Sequence, residues 1–274
     1  MNSEHETAAA SSDDLNLKSC CANVYQSDLA RLLLGESFHP GGTVLTEQLG
    51  SLLRLGPDKQ VLDVAAGQGT SAIHLAQRFG CHVRGIEYSA LAVERATEAA
   101  RAAGVDKLVT FEQGDAEHLP VPAASYDALI CECAFCTFPN KSIAAAEFLR
   151  VLKPGGQVGL SDLTRNVAAV PADLQGLLAW IACIADAQPL ESYVRYLTQA
   201  GLTIQMLEPH DEALAEMVKA IQGKLLGVEL LVKLNKLQLP GEIDFAQAKA
   251  MAKSAAAAIQ AHQFGYAVII ALKP

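Results

Sequence analysis

The chain has 274 residues, 51 % of them hydrophobic, enough to bury one substantial α/β core with an appendage and too many for a disordered chain. Its net charge of −9 argues against binding a phosphate backbone, which takes a basic footprint, and favours a small-molecule ligand. The longest apolar stretches carry charge, as Glu229 does within 225–232, so no membrane span is predicted.

Residues 1–16 are polar and acidic, with neither a basic start nor an apolar core. They read as a disordered tail, placed at 1–17, rather than a targeting peptide. Cysteine usage is more informative. Seven cysteines, an odd number without an export signal, point to a reducing cytoplasm where thiols stay available. They fall at Cys20, Cys21, Cys81, Cys131, Cys133, Cys136 and Cys183. Cys133 and Cys136 form one C-x-x-C, but a lone pair supports neither a tetrahedral zinc site nor a thioredoxin motif.

In chain order, a helix from Cys20 to Gly35 carries Leu29, Leu32 and Leu33 on one side. A second carries Leu45, Leu49, Leu52 and Leu53 at amphipathic spacing, and Gly56-Pro57 ends it. The first strand is Val61–Val64, followed by a small-residue turn and a helix that stops at Gly80. Strand two, His82–Ile86, runs into Glu87, and Ser89 is placed to cap a helix ending near Ala103. Strand three is Leu108–Gln113, with Gly114-Asp115-Ala116 behind it. Strand four starts at Tyr126 and ends at Cys131 or Cys133, and Asp127 reads as an anchor of strand structure. A helix over 142–151 leads through Lys153-Pro154-Gly155-Gly156 into strand five, Gln157–Ser161. Beyond Asp162 come a helix opened by Pro171, with Trp180 and Cys183 off its apolar stripe, and another over 190–200. Strand six is Leu202–Leu207, helices fill 211–263, and the last strand is Tyr266–Leu272. Strands alternating with long helices predict a doubly wound, mostly parallel, seven-stranded α/β sheet with a helical N-terminal cap and C-terminal helical insertions. The divisions are a cap at 18–56, a ligand-binding core at 57–163, and substrate-side helices with the last two strands at 164–274.

The turn Asp63-Val-Ala-Ala-Gly67-Gln-Gly69-Thr70 brings backbone close to a ligand at a helix start, and Glu87 follows about 18 positions later, as in folds that hold a ribose. Ala72 stands where the third glycine of a dinucleotide fingerprint belongs. With Gly114-Asp115-Ala116, Tyr126-Asp127 and Leu152-Lys-Pro-Gly-Gly156, this pattern resembles the class I S-adenosylmethionine-dependent methyltransferases over roughly Gln60 to Leu163. The resemblance implies a Rossmann-like fold with an antiparallel last strand. It also implies a cofactor, S-adenosylmethionine, held by Asp63, Ala65, Gly67, Gly69, Thr70, Glu87, Tyr88, Asp115, Ala116 and Cys131. In that family the acid after strand two meets the ribose and the acid after strand three reaches the adenine; Asp115 on its own also reads as a turn cap. Ala65 replaces a common glycine, which is tolerable if its φ is negative.

Cys131 and Cys133 lie at the carboxyl edge of strand four, where open α/β sheets bind ligands, and on a strand they share a face. Cys133-Ala-Phe-Cys136-Thr-Phe-Pro-Asn-Lys141 and Trp180-Ile-Ala-Cys183 resemble two cysteine segments of the arsenite methyltransferases. That resemblance implies catalytic Cys133, Cys183 and Cys21, a thiolate set for trivalent arsenic drawn from Cys20, Cys21, Cys133, Cys136 and Cys183, and a thiol or thioredoxin-type reductant. Upstream cysteines depart from that family, since only the Cys20-Cys21 pair precedes strand one. Soft trivalent arsenic suits thiolates. Its lone pair carries no proton, so no general base is needed; His39 and His74 are the nearest candidates for one, with His74 read as a packing or surface residue. Cys81, at the start of a buried strand, reads as structural. The other readings are a methyltransferase for an organic metabolite, with cysteines that simply pack, and a non-catalytic metalloid-binding protein of the same fold.

Overall fold

The structure, a computed structural model, describes residues 37–166, 186–238 and 244–274, with isolated positions at 32, 35, 168, 174 and 184. Cys20, Cys21, Trp180 and Cys183, the expected tail, most of the first helix and the helix opened by Pro171 lie outside the described residues.

Helix α1, Gly42–Leu52, precedes β1 at Gln60–Val64, α2 at Thr70–Phe79 and β2 at His82–Glu87. Helix α3, Ala90–Ala102, leads to β3 at Val109–Gln113 and β4 at Tyr126–Glu132. A short 3-10 turn at Phe135–Thr137 comes before α4, Lys141–Val151, and β5, Leu152–Arg165. Then follow α5 at Leu190–Gln199, β6 at Thr203–Pro209, α6 at Asp211–Lys233, α7 at Phe245–Gln260 and β7 at Phe264–Leu272. The strands form one seven-stranded sheet in the order β3-β2-β1-β4-β5-β7-β6. Strand β7 runs antiparallel to β5 and β6, and the pairs from β3 to β5 are parallel. The order reverses between β1 and β4, where the chain leaves one half-sheet and starts the other; a crevice opens there at the carboxyl ends.

The reasons are local. Val61, Leu62 and Val64 are fully buried, so β1 reads as a continuous apolar run rather than an alternating one, as a strand covered on both faces should. Leu45, Leu49 and Leu53 turn one face of α1 into the core. That helix approaches closely because β5 carries Gly159, whose missing Cβ would stand 2.7 Å from Leu49 and 2.9 Å from Leu53. Ser89 caps α3 by accepting from the Ala92 N–H, and Gly80 closes α2 in the left-handed conformation. Asp127 accepts from the Gln60 N–H at 2.9 Å and from Lys153 Nζ at 2.8 Å, tying β4 to its neighbours.

Strand β5 is longer than expected at both ends. The Lys153–Gly156 turn is absorbed because the Gly155 N–H donates to the Lys273 carbonyl and the Lys273 N–H to the Gly156 carbonyl. At the far end β7 pairs with β5 through to Arg165. Helices α6 and α7 pack on each other through a small second core of Ile221, Leu225 and Ala252. Among the described residues no helix is long and apolar enough to cross a membrane.

Candidate functional site

The crevice at the switch point is a cavity of ≈ 190 Å³ lined from β1, β2, β4, the turns behind them and the segment before α1. The β1 turn forms its floor. Ala65, Gly67 and Gly69 all have positive φ, at 61°, 54° and 78°. The condition set for Ala65 is therefore not met: its methyl sits in the left-handed region, which costs an L-residue roughly 1–2 kcal/mol. The turn holds it there, with the Ala66 N–H donating to the Ile86 carbonyl at 3.1 Å and the Gly69 N–H to the Ala66 carbonyl at 2.8 Å. The two glycines differ. A Cβ at Gly69 would run into the Phe111 ring and lie 3.0 Å from Ala96, whereas one at Gly67 meets nothing within 4 Å because it would project into the crevice.

Glu87 ends β2 and braces this turn, accepting from the Gly67 N–H at 3.0 Å and the Ser89 N–H at 2.9 Å. Burial raises its pKa, and those N–H groups oppose the rise. Asp63 is buried at the end of β1, and its pKa is pushed well up by burial, then by the negative charges of Glu132 and Glu87. Its Oδ2 has no hydrogen-bond partner, nor does Gln68 Nε2, and both residues line the crevice. Asp115 Oδ1 accepts from the Glu117 N–H at 2.9 Å, a turn-capping bond, and Asp115 and Ala116 line the same crevice with Thr70 and Tyr88.

The cysteines separate. Strand β4 stops at Glu132, and Cys133 turns left-handed at φ 53°, so alternation ends before it and the shared face expected of Cys131 and Cys133 does not form. Cys133 is half-buried in the crevice wall, its N–H donating to the Ser161 carbonyl at 2.7 Å. Cys131 is instead wholly buried and outside the lining; burial, then Asp162, Asp63 and Glu132, hold its thiol pKa well up. Cys136 is also wholly buried outside the lining, and its N–H donates to Asp162 at 2.9 Å. Neither is placed to meet a ligand in the crevice. Cys81 is a core residue, its thiol pushed up to about 11 by burial. Among the described residues no cluster of three metal-ligating side chains occurs.

A methyltransferase domain model matches residues 61–156, the stretch that builds β1 to the start of β5. The 27-O-demethylrifamycin SV methyltransferase of Amycolatopsis mediterranei is 32 % identical over 196 residues, spanning 66 % of this chain and 72 % of that protein. The chain belongs to the class I S-adenosylmethionine-dependent methyltransferases. An arsenite methyltransferase of Halobacterium salinarum is 30 % identical over 162 residues, 58 % of this chain and 41 % of that protein. In fold, a Haemonchus contortus phosphoethanolamine N-methyltransferase, solved with S-adenosylhomocysteine, superposes with a TM-score of 0.75 at 19 % identity, covering 92 % of this chain and 57 % of that one.

The crevice also contains a polar group that sequence reasoning missed. The side chain of Glu132, 4 % exposed, accepts from Ser71 Oγ at 2.6 Å and from Thr46 Oγ1 at 3.0 and 3.2 Å. His39 Nε2 lies 3.5 Å from the same carboxylate, and its Nδ1 lies 3.2 Å from the Pro40 carbonyl. Both ring nitrogens thus face acceptors. His39, named only as a nearby histidine, is tied into this group, while His74 faces Glu47 at 3.4 Å and does not line the crevice. The available signal was a glutamate at the carboxyl end of an otherwise buried strand, between Cys131 and Cys133.

Proposed function

We propose that the crevice seats S-adenosylmethionine across the β1 turn and that the methyl acceptor is trivalent arsenic, or a similar thiophilic metalloid, held through Cys133. The cofactor part is supported by the fit of the cleft: an orphaned buried acceptor on Asp63, an orphaned buried donor on Gln68, and open space at Gly67. An ammonium and a carboxylate complement that acceptor and that donor. Glu87 and Asp115 then take the ribose and adenine ends, with Ala65, Thr70, Tyr88 and Ala116 as surrounding wall; Gly69 lies outside the lining, faces Phe111 and Ala96, and shapes the turn instead of touching the ligand. When bound, the cofactor supplies an electrophilic methyl on a sulfonium.

The acceptor part is carried by one observation, the thiol of Cys133 in the crevice wall. Its left-handed turn takes it off the strand and directs the chain into the 3-10 turn, where Phe135 and Cys136 bury themselves behind it. As a thiolate, Cys133 would hold a soft trivalent centre whose lone pair forms the new bond to carbon, while the carbon–sulfur electrons remain on the departing neutral sulfide. Cys183 and either Cys20 or Cys21 complete the thiolate set. A thiol reductant, two thiols going to a disulfide, returns the methylated arsenic to the trivalent state.

The test is incubation with S-adenosylmethionine, a thiol and arsenite, followed by chromatography for methylarsenicals. Cys133→Ser is expected to lower their formation at least about a hundredfold, more than loss of an outer-shell partner does, with cofactor affinity retained. Full turnover by Cys133→Ser, or no product from wild type, refutes the arsenic acceptor. The second reading, an organic acceptor, is favoured by the apolar side chains Phe38, Ala134 and Phe138 that line the same crevice.

A further inference from the structure

Three carboxylates converge on the β1 turn: Asp63, Glu87 and Glu132 all line the crevice, and Asp63 feels the negative charge of both the others. Among the described residues no lysine or arginine forms an ion pair with any of them. Glu87 is occupied by the turn, but Asp63 keeps a buried Oδ2 without a partner. Glu132 is asymmetric. Its Oε2 takes Ser71, Thr46 and the His39 edge, while Oε1 has Thr46 alone at 3.2 Å. A carboxylate offers about four acceptor sites, so Oε1 retains capacity. Burying such a group takes more than this hydroxyl clamp unless a cation completes it. The clamp itself is deliberate in construction: Thr46 comes from α1, Ser71 from α2 and His39 from the segment before α1, all fixing a carboxylate one residue before Cys133.

We infer that Glu132 is an electrostatic selector that stabilises the positively charged cofactor over its demethylated product. S-adenosylmethionine carries an ammonium, a sulfonium and a carboxylate, for a net charge of about +1, and loss of the methyl removes the sulfonium charge. The clamped Glu132 carboxylate, in a crevice that Arg95 also lines, therefore favours the reactant by its interaction with one unit charge and releases its hold on the product after transfer. Thr46, Ser71 and His39 are positioning residues that keep the carboxylate aimed. This rests on the reading of the crevice as the cofactor seat.

The experiment is calorimetric titration of the protein with S-adenosylmethionine and with S-adenosylhomocysteine, with no acceptor present. Glu132→Gln preserves shape and can still accept from Ser71 and Thr46. It is expected to lower the ratio of reactant to product affinity by about tenfold, between the roughly fivefold of a water-screened unit charge at about 4 Å and the roughly thousandfold of a protein-screened one. Affinity for the product stays within about threefold, which also reports that the variant is folded. His74→Gln, at a residue that lies outside the crevice lining and faces Glu47, leaves the ratio unchanged. Equal loss of both ligands in Glu132→Gln, no change in either, or a fall in the ratio for His74→Gln overturns the selector. A wild-type protein that binds neither ligand overturns the cofactor reading, and the selector with it.

Discussion

The two glycines of the β1 turn provide the sharpest contrast between stability and binding. Both have positive φ, so alanine at either position incurs the left-handed penalty of roughly 1 kcal/mol. At Gly67 nothing else is added, since no atom lies within 4 Å of the new methyl. At Gly69 the methyl meets the Phe111 ring and stands 3.0 Å from Ala96 Cβ, an overpacking that costs about 1–3 kcal/mol more. Gly67→Ala should therefore lower the melting temperature of the unliganded protein by about 2–4 °C, and Gly69→Ala by roughly two to four times as much. Binding should run the other way. The Gly67 methyl occupies crevice space, so S-adenosylmethionine affinity should fall by at least about tenfold despite the milder effect on folding. Thermal melts with and without cofactor, together with calorimetry, measure both quantities. Unchanged cofactor affinity in Gly67→Ala refutes the assignment of that space to the ligand, and equal melting losses refute the steric account of Gly69.

Ala65→Gly releases the left-handed methyl and, after the entropy of a more flexible unfolded chain, is expected to stabilise by up to about 1 kcal/mol; a lower melting temperature would contradict the strain. Asp63 gives a pH signature. Its folded pKa is raised by burial, then by Glu132 and Glu87, so between the unfolded and folded values the native state keeps a proton that the unfolded state has lost. Stability then falls as pH rises through that window, by about 1.4 kcal/mol per unit, and is unaffected by this group below the unfolded value. Asp63→Asn should melt at the wild-type temperature near pH 3.5 and above it at pH 7, without ligand. Coincident profiles across that range would show that Asp63 ionises freely.

Much of the architecture is written in local patterns. The apolar run Val61–Val64, the glycine stop at Gly80, the Ser89 cap and the amphipathic face of α1 each act over a few residues, so their elements appear within a residue or two of expectation. Seven strands alternating with helices then leave few sheet orders open, and the observed one follows. The full length of strand β5 is not legible locally because it comes from pairing with β7, about 100 residues away in sequence.

The site divides in the same manner. The turn and its acids were legible because glycines and a carboxylate at fixed spacing report backbone geometry directly. The conformation of Ala65 was not, since an alanine's sign of φ is imposed by the bonds around the turn rather than by its own preference. Cys131, Cys133 and Cys136 look equivalent in a string of letters. Only the left-handed turn at Cys133 opens one thiol to the crevice and leaves the other two in the core. Glu132 belongs wholly to the tertiary structure: its partners are 61, 86 and 93 positions distant, at Ser71, Thr46 and His39, and no short-range pattern links them. The sequence by itself determined the family and the floor of the crevice, because those depend on neighbours along the chain. The choice of exposed thiol and the clamped carboxylate beside it were decided by packing α1 and α2 against the end of β4.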